Sequence, residues 1–150
     1  MTDHKRSDQT YQYDQDQDGR FFIRCSSCDD PDTEADYCIV HFALACDPFL
    51  DGNVYLNGEL FHNVLDEKSK MGYNFETHQY EKVVLLKQGS YNYQYLFVPN
   101  GSTVGETGPI EGNYYQAENE YTIYVYYRPM GTQYDRLIGV TSVKNAMQVF

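Results

Sequence analysis

Large apolar residues recur at every second position along most of the chain. In residues 88–98 they fall at Tyr91, Tyr93, Tyr95 and Phe97, the spacing of a strand with one buried face. A helical period is not sustained in any segment, and residues 113–120 predict at most one helical turn. The segments predicted as strands are 20–25, 36–46, 52–58, 68–74, 79–87, 90–98, 120–129 and 136–144.

The segments between these strands carry turn chemistry. The motif "DPFLDGN" contains Pro48 and Asp51–Gly52, "KQGS" predicts a short hairpin turn, and residues 98–109 form a loop rich in Gly and Pro. Short strands at this spacing predict an all-β antiparallel sandwich of seven to eight strands. We expect residues 1–19 to be an acidic polar arm or linker and residues 20–150 to be the β-sandwich domain.

The aromatic face of 90–98 is predicted to lie in the core, because Asn92 and Gln94 on the other face favour water. Strand 120–129 differs, since both of its faces carry large groups. Ile123 and Val125 are the natural core residues, so the outward face should carry aromatics. The predicted partner-binding residues are therefore Tyr124, Tyr126 and Arg128, because Tyr and Arg are enriched in binding hot spots. Alternatively, exposed Tyr pairs can simply stabilise a sheet.

The charge restricts the partners. The 150 residues carry a formal net charge of −11, which argues against nucleic acid and anionic lipid because phosphates would be repelled. It permits a cation or a basic protein surface. No apolar run is long enough for a membrane span, and the sequence "MTDHKRSDQT" lacks the apolar region of a signal peptide.

Four cysteines lie in the first third of the chain, at Cys25, Cys28, Cys38 and Cys46. In "DYCIVHFALAC", Cys38 and Cys46 fall on the apolar face of a strand, which predicts two thiols in a core. About 26 Å of extended strand separates them, too far for a disulfide between them. "CSSC" has the spacing of a redox dithiol or half a zinc site, but a structural or incidental pair, free or oxidised, is the simpler interpretation.

Metal and catalytic motifs are weak. Asp14, Asp16, Asp18 and Gly19 in "DQDQDG" match the start of a calcium loop, but the position of the closing bidentate Glu is Cys25. A solvated acidic turn is therefore expected, and any calcium affinity should be millimolar or weaker. His spacing, nucleophile elbows and phosphate loops give no catalytic motif. We predict no enzymatic activity and no cofactor.

Two resemblances add to this interpretation. "VYLNGELFHN" and the later "KMGYNFETHQYEKVVLLKQGSYNYQYLFV" resemble early-set immunoglobulin-like domains, a class that includes the glycogen-binding modules of starch-active enzymes. A carbohydrate-binding module is thus the alternative function. Such modules stack sugars on an aromatic, often Trp, in the loop after Gly58. This chain has no Trp, that position reads Asn63 or Val64, and only Phe61 is aromatic there.

The second resemblance covers residues 20–143. "DPDTEADYCIVHFAL", "DGNVYLNGEL", "EGNYYQAENEYTIYVYYRPMG" and "YDRLIGV" together resemble the C-terminal portion of the plug-protein family of the type IX secretion system of Bacteroidetes. The resemblance implies a periplasmic or outer-membrane-associated, non-enzymatic protein. It would seal or associate with protein subunits of the outer-membrane translocon. "CSSC" is atypical of that family, so the resemblance assigns it no role.

Overall fold

The computed structural model describes residues 2–12, 19–117 and 119–144. The regular secondary structure of the described part is almost entirely β-strand, with one short helix, α1 (Pro31–Glu34), and 3-10 turns at Arg6–Asp8 and Glu59–Phe61. The strands are β1 (Asp3–His4), β2 (Phe21–Ile23), β3 (Tyr37–Ala45), β4 (Gly52–Asn57), β5 (Gly72–Asn74), β6 (Gln79–Lys87), β7 (Gly89–Tyr91), β8 (Gln94–Pro99), β9 (Glu120–Tyr127) and β10 (Arg136–Lys144).

The contacts divide the chain into two compact units, Met1–Asn113 and Tyr114–Phe150. In the first unit, one sheet has the order β1-β3-β6-β5, and β4-β8 and β2-β7 form two further pairs. All of these pairs are antiparallel except β1-β3, which is parallel. The predicted all-β sandwich is confirmed. The predicted boundary at residue 19 stays a prediction.

The core lies between β3-β6 and β4-β8. Leu44 of β3 is fully buried opposite Tyr80 of β6. In the facing pair, Val54 lies opposite Phe97 and Leu56 opposite Tyr95; all four are buried. Alternation places these residues on one face of each strand, and burying each large side chain contributes about 1.5–3 kcal/mol.

The aromatic strand 90–98 is interrupted. It forms β7 and β8, with Asn92 and Tyr93 between them. Tyr95 and Phe97 are buried as predicted, but Tyr93 is 40% exposed. Leu96 and Val98, on the opposite face, are buried as well. Leu96 is covered by Gly105, which lies so close that a side chain at Gly105 would overlap Leu96. The loop 98–109 therefore covers the second face of β8.

The prediction that Cys38 and Cys46 are both core thiols is wrong for Cys38, which is exposed. On the face of β3 that carries Cys38, Phe42 and Leu44 are buried and Val40 packs against the core, so the core contacts of this face begin two residues after Cys38. Cys46 is half-buried and packs against the core.

Residues 3–8 are held against the rest of the first unit by polar contacts. The hydroxyl groups of Tyr93 and Tyr95 both donate to Oδ2 of Asp3, at 2.9 Å and 2.6 Å. The Ser7 amide donates to the carbonyl of Ile110 at 2.9 Å. Glu111 accepts the Tyr95 amide at 2.7 Å, and burial raises the pKa of Glu111. This segment of the predicted arm therefore has a fixed place beside the core.

Candidate protein-interaction surface on the hairpin

Strands β9 and β10 form an antiparallel hairpin within the second unit. Glu120 pairs with Lys144, Tyr124 with Val140 and Tyr127 with Arg136. The register shifts between Leu137 and Gly139, so that β10 carries a β-bulge. A glycine within a strand often marks such a bulge, and Gly139 occupies that place here.

Residues directly opposite each other in an antiparallel pair share a face, so the register defines two faces. The Tyr124 face carries Thr122, Tyr124, Tyr126, Leu137, Val140 and Ser142. The Ile123 face carries Tyr121, Ile123, Val125, Tyr127, Arg136, Thr141 and Val143. A hydrogen bond between the Thr122 and Ser142 hydroxyl groups (3.1 Å) crosses the Tyr124 face.

Both faces are exposed. Tyr124 and Tyr126 are 56% and 61% exposed, as predicted for an outward face. The prediction that Ile123 and Val125 are core residues is wrong, because they are 50% and 47% exposed. Every residue of β9 is exposed. Alternation correctly predicted that both faces of β9 carry large apolar groups. It could not show that both faces are left uncovered by the described residues.

Arg128 stabilises the end of the hairpin. Its Nε and Nη2 donate to the two carboxylate oxygens of Asp135, at 2.7 Å and 2.8 Å. This two-point pairing raises the pKa of Arg128. Residues 129–132, between Arg128 and Asp135, form a turn in which the Thr132 amide donates to the Pro129 carbonyl (3.1 Å). Gly131, the third residue of this turn, has φ +83°, which a type II turn needs there. Arg128 therefore follows the end of β9 as a charge already paired with Asp135.

The net negative charge of the chain comes from residues outside the hairpin. Residues 1–113 contain 19 acidic and 8 basic side chains, so they bear the whole formal charge of −11, whereas residues 114–150 contain three of each. The hairpin is thus an apolar, neutral surface in a chain whose other unit is strongly acidic.

Sequence reasoning missed the contribution of β10. Leu137 and Val140 are 51% and 55% exposed and lie beside Tyr126 and Tyr124. The alternation in "RLIGVTSVK" could have indicated apolar positions in this strand. Because of the bulge, however, Leu137 and Val140 share a face although they are three residues apart. Only the register shows which of them share the Tyr124 face.

Other candidate sites are less developed. Asp14, Asp16 and Asp18 lie outside the described residues. Within the described part of the chain, no group of three or more potential metal ligands comes together. Among the same residues, no helix is long and apolar enough to cross a membrane. Cys25 and Cys28 form a disulfide.

An open depression of about 480 Å³ lies beside the half-buried Cys46, lined also by Lys5, Phe49 and His78. Burial raises the pKa of the Cys46 thiol to about 11. The thiol is therefore protonated at neutral pH, which makes it a weak nucleophile and a poor metal ligand.

The loop after Gly58 gives no aromatic platform. Phe61, its aromatic residue, packs against the core. Asn63, at the position where glycan modules carry an exposed aromatic, has a left-handed backbone (φ 56°), and Val64 is half-exposed. A flat ring for stacking a sugar is missing from this loop.

We expect no saturable binding of glycogen, starch or cyclodextrin, because the loop offers no exposed ring for stacking. Isothermal titration calorimetry with each glycan measures this directly. Val64→Trp supplies a ring at the expected position and serves as a comparison. Micromolar binding by the unmodified chain would contradict the prediction and favour a carbohydrate-binding module.

The fold and this surface can be compared with known proteins. No protein-family model matches the chain, and no curated protein matches it. The chain is similar to a protein of Parabacteroides merdae ATCC 43184, whose crystal structure is described as that of a hypothetical protein. The two share 83% sequence identity with a TM-score of 0.90, and the match covers 97% of this chain and 36% of that one. This chain thus spans about a third of that protein's length.

Proposed function

We propose that this chain is a non-enzymatic protein-interaction domain that binds its partner through the Tyr124 face. The observation that carries the proposal is the exposure of large apolar side chains along the whole hairpin. A two-stranded hairpin is marginally stable in water unless it packs against something. Contiguous apolar surface of this kind is typical of protein contact sites.

The composition of the Tyr124 face suits a binding hot spot. Tyr124 and Tyr126 provide large, rigid rings, and Leu137 and Val140 beside them provide an apolar surround. Tyr is enriched among residues that carry binding energy. Arg128 is held by Asp135, so little side-chain entropy remains to be lost when a partner binds.

We further propose that the partner is a subunit of the outer-membrane translocon of the type IX secretion system, and that the chain acts in the periplasm. The motifs of residues 20–143 support this through their resemblance to the plug-protein family. The Cys25–Cys28 disulfide also supports it, because disulfides persist in oxidising compartments such as the periplasm. The acidic residues 1–113 would orient the chain during encounter with a basic surface.

The test replaces both rings of the Tyr124 face with serine. We expect the Tyr124→Ser/Tyr126→Ser chain to retain the circular dichroism spectrum of the parent and to lose co-purification with the translocon from envelope extracts. Two hot-spot rings at about 2 kcal/mol or more each correspond to a loss of affinity of roughly three orders of magnitude.

The matched control is Tyr115→Ser/Tyr134→Ser, which removes two tyrosines of the same unit that are also exposed but lie outside β9 and β10. This control should bind as the parent does. The proposal fails if the Tyr124→Ser/Tyr126→Ser chain binds equally well, or if it unfolds in the way a core variant does.

A further inference from the structure

The hairpin has an open backbone edge on β9. Within the described residues, β9 and β10 form a sheet of only two strands, so each has one edge without a neighbouring strand. The bulge at Leu137–Gly139 distorts β10, and bulges discourage further pairing at an edge. β9 shows no such protection: it runs from Glu120 to Tyr127 without proline and without an internal charge.

We propose that β9 pairs antiparallel with β9 of a second copy of this chain, about a two-fold axis at Tyr124. The sequence Glu120–Arg128, "EYTIYVYYR", reads as a self-complementary strand around its central residue. In this register Tyr124 lies opposite Tyr124 of the second copy. An interface of this kind must match itself, because a residue i that contacts j is repeated by j contacting i.

The side chains match at each step outward from the axis. Ile123 lies opposite Val125 of the second copy, a pair of β-branched residues. Thr122 then lies opposite Tyr126, and Tyr121 opposite Tyr127. Aromatic and β-branched cross-strand pairs each stabilise a sheet. Every pair joins residues of the same face, so the Tyr124 faces of the two copies form one continuous surface.

The ends of the strand supply charge complementarity. Glu120 lies opposite Arg128 of the second copy, and the two-fold axis repeats this pair at the other end. Within each copy, Glu120 already contacts Lys144 at 3.3 Å and Arg128 holds Asp135. The pairing therefore produces a row of four charges of alternating sign at each end. If the two strands slid by two residues, so that the axis lay at Val125, Glu120 would lie opposite Met130. The pairing of Glu120 with Arg128 would then be lost.

The result is a four-stranded sheet in the order β10-β9-β9-β10, which has two edges carrying bulges and no regular edge. It goes beyond the proposed function, because it concerns the edge of β9 and requires no translocon. Residues 114–150 carry no formal net charge, so the unit that contains β9 does not itself oppose the association of two copies by like-charge repulsion.

The register can be tested by disulfide trapping in a Cys38→Ser/Cys46→Ser background that keeps the Cys25–Cys28 disulfide. Opposed residues of antiparallel strands have Cα atoms about 4.5–5.5 Å apart, within disulfide range. Tyr124→Cys should therefore give a disulfide-linked dimer on mild oxidation. Thr122→Cys is the matched control: its copy lies about 13 Å away along the strand, so that chain should form no disulfide-linked dimer.

Combining Thr122→Cys with Tyr126→Cys should restore the linked dimer, because those positions lie opposite each other. Sedimentation equilibrium of the unmodified chain should show a reversible monomer–dimer equilibrium. The proposal is overturned if the unmodified chain is a monomer at the highest soluble concentration. It is also overturned if Thr122→Cys alone links as well as Tyr124→Cys, which would show collision or another register. A chain that dimerises but does not bind the translocon supports this proposal and contradicts the proposed function. A monomeric chain that binds the translocon does the opposite.

Discussion

Replacing Leu44 with Ala lowers the free energy of unfolding by about 2–5 kcal/mol, the range for large-to-small changes in a core. Leu44 is fully buried between the two sheets and is flanked by Tyr80 across the β3-β6 pair. Domains of this size have only about 5–15 kcal/mol of stability, so the variant loses a large share of it. Urea unfolding monitored by circular dichroism measures the change.

The control is Leu50→Ala, which makes the same chemical change at a side chain that is 92% exposed. It should alter the free energy of unfolding by no more than about 0.5 kcal/mol. Equal effects of the two substitutions would show that the core does not lie between β3-β6 and β4-β8.

The second large effect is loss of stability at alkaline pH. Burial, together with the hydrogen bond to Asp3, raises the pKa of Tyr95 well above its ordinary value, and the same causes raise the pKa of Tyr93 to about 12. Because both pKa values are higher in the folded chain, the stabilisation is complete below about pH 10 and is lost as the pH rises further. Above pH 10 the Tyr95 hydroxyl ionises in the unfolded chain but stays protonated in the folded one. This difference alone should lower the free energy of unfolding by about 1.4 kcal/mol per pH unit.

Urea unfolding at several pH values between 10 and 12, with tyrosinate absorbance as a second probe, follows this loss. Tyr95→Phe removes the titrating group and should reduce the slope, whereas Tyr124→Phe removes an exposed hydroxyl and should leave it unchanged. An equal slope in the parent and the Tyr95→Phe chain contradicts the assignment. Tyr93 contributes less than its pKa suggests, because its side chain is 40% exposed and solvent screens its charge.

Sequence patterning predicted the strands well because period-2 alternation directly reports which side chains can share a face. Segment 79–87 was predicted with the bounds that β6 has, and 136–144 with those of β10. The break at Asn92–Tyr93 was missed, since alternation continues through it unchanged. Burial of Leu96 was missed because the covering residue, Gly105, lies in a loop whose path is set by tertiary contacts.

The candidate surface was half predictable. Tyr124 and Tyr126 follow from alternation alone, but the exposure of Ile123 does not, because β-branched residues are common on covered faces. Pattern gives the face of a residue, whereas the presence of a covering layer depends on distant parts of the chain. The parallel pairing of β1 with β3 was likewise missed, since two residues are too few to show a period.

The contacts of residues 3–8 have a consequence for the order of events during synthesis. Asp3 pairs beside Leu44, but its hydroxyl donors are Tyr93 and Tyr95, and Ser7 bonds to Ile110. A growing chain makes this segment before its partners and cannot complete its contacts until about a hundred more residues have been added. Closing so long a loop is entropically costly and slow. The contacts that fix β1 beside Leu44–Ala45 are therefore complete only once β8 and the residues after it have left the ribosome.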